Sequence, residues 1–350
     1  MSQETSTWLN TNTLIGFTAV RGNAWHYRAS AQGAESNHYT GAIPVADVHR
    51  RLFHWTHAEA DVSATYLGAG EFHTLTAPDR KAIVRPAGTF GPNDQGEILG
   101  LFKSGFQVHP FGEWLVENVA TILDDGLSIG SAGLLKGGAV AWVQCEMPET
   151  ISTPEGVEFR PFLTAATAVD GSLSSTYQTG AQVVVCDNTL AAALGERGGQ
   201  RVKIKHSRNS LGRIGEVREA LGIVYEAADT FAASVKALCE TTVTDRQWAA
   251  FLDAHAPMPA EGAAKTTRAK TLAEDKRAEL TRLWNHDLRV APWTGTAFGV
   301  VQAVNTYTHH IQTVRGATRA DRNALNTVQG KWQALDVDTL GTLTRVMATS

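Results

Sequence analysis

Residues 127–147 read LSIGSAGLLKGGAVAWVQCEM, and this run decides the fold class. Two apolar stretches, Leu127–Leu135 and Ala139–Met147, flank Lys136-Gly137-Gly138. A Gly-Gly pair between alternating stretches is a strong hairpin signal, because glycine accepts the positive φ of a tight turn. In the second stretch Val143, Cys145 and Met147 alternate with Trp142, Gln144 and Glu146. That period of two places one set against a core. Two further extended segments follow, Val157–Val169 and Ser174–Cys186, separated by Asp170-Gly171. Together the four predict an antiparallel meander with one buried face. Asp187 or Asn188 then stands where a helix cap belongs, ahead of a helix through Leu190–Leu194.

Upstream, Lys81–Arg85 and Glu97–Val108 are short apolar runs bounded by Pro and Gly and read as strands. Pro110 suits a first helical turn, and Phe111, Leu115, Val119 and Ile122 recur at helical spacing up to Gly126. The first eighty or so residues mix small, polar and aromatic types without a sustained period, so loops and short elements are expected there. Downstream, Leu211, Ile214, Val217, Leu221, Val224 and Phe231 predict a helix over Ser210–Cys239. A linker rich in Ala, Pro, Thr and Lys follows near 254–270, and helices are expected over Leu272–Asp287, Thr296–Val314 and Ala320–Thr349. The fold class is therefore α+β: an antiparallel meander packed on helices over residues 1–240, and a helical region over 241–350.

Charge supplies the functional signal. Arg197, Arg201, Lys203, Lys205, Arg208 and Arg213 occur with no acid between Glu196 and Glu216, in a chain whose net charge is -4. A local reversal of sign points to a polyanion, since Lys and Arg displace counterions condensed on phosphates. On a strand over 201–206, Arg201, Lys203 and Lys205 would share one face at about 6.6 Å intervals, near the phosphate repeat of a stretched single strand. Single strands are also held by base stacking. Tyr177, between Thr176 and Gln178, is the candidate platform, followed by Trp142, with Phe162 on the strand between them. Arg315, Arg319 and Arg322 would form a second basic face if the helix bearing His309 and His310 continued through Gly316.

Several chemistries are disfavoured. Neither GAGEFH nor GGQRVK is a phosphate loop of the GxxxxGK[ST] type, and Ser131 in GSAG lacks a partner base. ATP-driven action on DNA is not expected, and no cofactor is implied. His54, His57 and Glu59 in HWTHAE could share a helix face, with Asp47 or Asp61 completing a metal site. The spacing departs from HExxH, so a surface helix is the plainer reading and no metal is assigned. Cys145, Cys186 and Cys239 are far apart and suit buried thiols in a reducing compartment. No start resembling a signal peptide and no apolar span are seen, so a cytoplasmic protein is expected.

Separated motifs carry a resemblance: Asn23-Ala24-Trp25-His26; Leu99-Gly100 with Phe106-Gln107-Val108; Gly133–Gly138; Val184–Leu190; Ile204-Lys205-His206; and Trp293-Thr294-Gly295-Thr296-Ala297 with Asn305. In order and spacing they resemble the phage/plasmid-like protein family of the domain of unknown function 932 type. That family is grouped by analogy with RecT-like and Red-beta-like single-strand annealing proteins. The resemblance implies a strand-strand-strand-helix core and passive single-stranded DNA binding that promotes ATP-independent annealing in recombination. It further implies a ring or filament of protomers, with a phage exonuclease or a host single-strand-binding protein as partner. The alternatives are a metal-dependent nucleic-acid-processing enzyme and a non-catalytic phage protein whose basic run binds an acidic partner.

Overall fold

A computed structural model describes residues 3–24, 27–120, 123, 127–147, 149–183, 188–190, 201–204, 206, 223–259, 266–315, 319, 322–323, 326 and 331–349. It is α+β, with antiparallel sheets and a helical C-terminal region. The strands are β1 (Thr13–Ile15), β2 (Ala58–Gly68), β3 (Glu71–Arg85), β4 (Glu97–Lys103), β5 (Ser128–Leu135), β6 (Val140–Glu146), β7 (Ile151–Ser152), β8 (Glu158–Ala168), β9 (Ser175–Val183), β10 (Asn188–Leu190) and β11 (Arg201–Ile204). The larger sheet runs β1-β5-β6-β8-β9-β10, with β7 on β8 and β11 on β9; β2-β3-β4 form a second sheet.

The expected meander corresponds to β5, β6, β8 and β9, each within a few residues of its sequence assignment. Its first turn works as the Gly-Gly pair requires: Lys136, Gly137 and Gly138 have φ of 51°, 64° and 94°. Across β5 and β6, Gly133 faces Trp142. A Cβ on Gly133 would lie 2.3 Å from the indole, so only glycine leaves room for that ring to lie flat over the neighbouring strand.

Four expectations are corrected. The N-terminal stretch contains two long strands, β2 and β3, of 11 and 15 residues, joined by a turn in which Ala69 and Gly70 have φ of 52° and 86°. Asn188–Leu190 does not start a helix but pairs with β9, with Asn188 opposite Val183, so the backbone finds its partners in the ladder. His54, His57 and Glu59 do not share a helix face: the helix Val45–Leu52 has ended, and Glu59 is on β2, paired with Lys81 Nζ at 2.6 Å. Among the described residues no group of three or more His, Cys, Asp or Glu could hold a metal ion. Finally, helix does not continue to Val314; it ends in a π-wound turn, Tyr307–Ile311. The helix expected over Ser210–Cys239 is seen over Ile223–Glu240, and its earlier part lies outside the described residues.

The chain packs as two compact units that alternate along the sequence instead of meeting at one point near 241. The first comprises Met1–Pro148, Leu163–Gln178 and Arg201–Ile223; the second, Glu149–Phe162, Thr179–Gln200 and Val224–Ser350. In the first, Phe111, Trp114, Leu115 and Val119 are buried on a helical turn from Phe111 that is π-wound over Gly112–Glu117. In the second, Trp248 and Trp284 stack at 4.6 Å within a cluster that includes Phe251, Leu283 and Val300. There Asp245–His255 begins with a capping box, in which Thr244 and Gln247 satisfy each other's backbone N–H.

Candidate functional site

Within the first unit, β11 lies antiparallel on the early part of β9, with Arg201 opposite Gln178, Lys203 opposite Thr176 and Ile204 opposite Ser175. The basic run thus includes a strand at a sheet edge, and its backbone is held in the ladder. Lys205, Arg208 and Arg213 lie outside the described residues, as do the side chains of Arg201 and Lys203.

His206 follows directly and is tied into the body of the unit. Its Nδ1 donates to the Gln107 carbonyl at 2.8 Å, and its ring lies between Phe106, at 4.9 Å, and His109, at 4.1 Å. The column extends to Phe102, 3.9 Å from Phe106, and to Trp114, 4.0 Å from His109, with every neighbouring pair close to parallel. Offset stacking of this kind adds attraction beyond the area buried.

A chain of hydrogen bonds runs alongside the rings. His109 Nδ1 meets Ser175 Oγ at 2.6 Å, Ser175 Oγ meets Thr167 Oγ1 at 2.7 Å, and Thr167 Oγ1 meets His206 Nε2 at 3.4 Å. The protons follow from one end. A carbonyl only accepts, so the His206 proton sits on Nδ1 and Nε2 must accept from the Thr167 hydroxyl. Thr167 then accepts from Ser175, and Ser175 from His109 Nδ1–H. This order needs a neutral His206, whose Nε2 must accept, whereas His109 can donate from Nδ1 in either charge state. Burial pushes His109 down to about 3, with the His206 charge as the lesser cause, and burial lowers His206 against the opposing pull of the Gln107 carbonyl. Ser175, Thr167 and His109 are fully buried, so this constellation orients a strand and offers no nucleophile to a substrate.

The expected base platforms are corrected. Tyr177 is 2% exposed and its hydroxyl donates to the Trp114 carbonyl at 2.9 Å; Trp142 is 7% exposed over Gly133. Phe162 is buried as well. The polar neighbours Thr176 and Gln178 do not mark an exposed strand, because they are buried too. In the second unit the three arginines do not form a helix face. Arg315 lies in a bend, Arg319 donates to the Ile311 carbonyl at 3.3 Å, and Arg322 holds the carbonyls of Thr308 and His309 and packs 5.5 Å from the Trp332 ring. Arg322 thus closes the end of the π-wound turn, where carbonyls lack intrahelical partners.

His109 and His206 were not among the residues singled out for a site. The signal was in the sequence: Phe106-Gln107-Val108 and Ile204-Lys205-His206 were separate motifs, and the structure joins them through the Gln107–His206 bond. Residues 98–329 match the family model described as "Domain of unknown function (DUF932)", about two thirds of the chain. No curated protein and no solved structure matches it.

Proposed function

The chain belongs to the family of the domain of unknown function DUF932, which brings no activity with it, and we propose that it binds single-stranded DNA and promotes ATP-independent annealing in phage or plasmid recombination. One observation carries this: the cations from Arg197 to Arg213, unbroken by any acid in a net acidic chain, include a strand paired onto a sheet edge and followed by an anchored imidazole. A run of cations suits a repeating polyanion. With Tyr177 and Trp142 buried, the proposed contact is to the backbone alone. Backbone contacts carry no sequence information and leave base edges free to pair, which is the requirement of an annealing protein. Action would be stoichiometric, through homo-oligomers spaced along the strand, with a phage exonuclease or host single-strand-binding protein as a further partner.

The experiment is a gel shift and strand-annealing assay on the wild type and on Lys203→Ala/Lys205→Ala/Arg208→Ala. The reading expects salt-sensitive binding of a labelled oligonucleotide and loss of both activities in a normally folded triple variant. Full annealing by that variant would remove the basic run from the site, and no wild-type shift at low salt would end the nucleic-acid reading.

A further inference from the structure

We infer that the β2–β3 hairpin is a self-association arm, and that the outer edge of β2 pairs antiparallel with β2 of a second copy of this chain. β4 pairs with β3 only over Arg80–Arg85. From Ser63 to Thr76 the hairpin is two strands wide, with no third strand among the described residues. Its side chains are exposed on both faces: Tyr66 is 50% exposed, Leu67 64%, Phe72 79% and Leu75 61%. An isolated two-stranded ribbon is marginal in water, and exposed strand edges are templates for further pairing.

The two edges differ. On β3, β4 covers one part and Pro78, which has no N–H to donate, interrupts the rest. Along β2, Ala58–Gly68 contains no Pro, Lys or Arg, and its bulge between Asp61 and Ser63 lies before the stretch proposed to pair.

Charge selects the occupant. From Val62 to Thr76 Glu71 is the one formally charged residue. The ribbon offers no cation to phosphate and no charge pattern to a strongly acidic or basic protein. It matches a neutral strand, and the same edge on a second copy is such a strand. Antiparallel pairing sets Asp61 of each copy beside the neutral Ala69-Gly70 turn of the other and leaves Glu59 beyond the paired stretch, whereas parallel pairing would bring like charges together. With the two-fold axis at Thr65, Ala64 faces Tyr66 and Ser63 faces Leu67 of the second copy. Such a contact is isologous and closes at two copies, so any larger assembly is built from dimers.

Size-exclusion chromatography with light scattering tests this on the full chain. The expected mass is twice 37.6 kDa or another even multiple. Tyr66→Lys with Leu67→Lys, at exposed positions, is expected to halve the mass with an unchanged circular-dichroism melt. Thr65→Cys is expected to cross-link on copper-catalysed air oxidation, well beyond a control Ala87→Cys. A monomeric or odd-numbered wild type overturns the inference. So does an even-numbered assembly that keeps its mass in the double-lysine variant and fails to cross-link through Thr65→Cys. None of these readouts involves DNA, so the arm and the nucleic-acid reading fail independently.

Discussion

At His206 and His109 two imidazoles stack face to face, 4.1 Å apart, and burial favours the neutral form of both. An unfolded histidine takes up a proton near 6.5, whereas the folded chain keeps His109 neutral down to about 3. Stability from the pair is therefore complete above pH 6.5 and is lost as the pH falls towards 3, because the unfolded state binds protons first. His57, half-buried against Trp55 and Phe111, and His309 act in the same direction. Urea denaturation from pH 7.5 to 4.5 should show falling stability, and His109→Phe should flatten the slope by up to about 1.4 kcal/mol per pH unit. An unchanged slope would mean that His109 titrates alike in both states. Packing gives two further expectations. Gly133→Val should cost about 1–3 kcal/mol, because its side chain meets the Trp142 ring. Tyr177→Phe should cost about 0.5–1.5 kcal/mol for the lost bond to the Trp114 carbonyl and leave oligonucleotide affinity unchanged. A weaker gel shift in Tyr177→Phe would restore that ring as a DNA contact.

At the scale of elements, the stretches with strong contrast were the legible ones. The meander could be read because β5, β6 and β8 are rich in apolar residues and the turns carry glycine, as at Lys136-Gly137-Gly138, although these strands are buried on both faces instead of one and β9 buries polar residues such as Thr176 and Gln178. The β2–β3 ribbon could not: Ser63, Ala64, Thr65 and Thr74 are small or polar on both faces, so no burial imposes alternation, and Ala69-Gly70 is a weaker turn signal than Asn-Gly. The strand of the basic run was legible from its alternation, but its anchor was not. The Gln107–His206 bond joins residues far apart in sequence, and only the fold brings them together. That anchor makes β11 testable as an element. His206→Ala removes a ring from the stack and leaves the Gln107 carbonyl unpaired, a loss of about 1–3 kcal/mol. Hydrogen exchange should then show the amides of Arg201–Ile204 losing protection while β5 and β6 keep theirs. Equal protection across all three strands would place the support of β11 in its ladder with β9 alone.

For the whole molecule, the charges oppose one another over distance. A net charge of -4 repels a polyanion, while the run from Arg197 to Arg213 attracts it at close range. Salt separates these contributions, because screening weakens the distant repulsion and counterion release is governed by the cations in contact. For single strands the slope of log K against log salt is about -0.7 for each phosphate neutralised. If Lys203, Lys205 and Arg208 each hold one phosphate, their joint replacement by alanine should make the slope shallower by about 2. Affinity should fall alike for oligonucleotides of different sequence, since backbone contacts do not discriminate among bases. Fluorescence anisotropy with two unrelated oligonucleotides over a salt series measures both quantities. A slope unchanged by the triple variant, with affinity reduced, would mean that these residues act through folding and that other cations of the chain hold the phosphates.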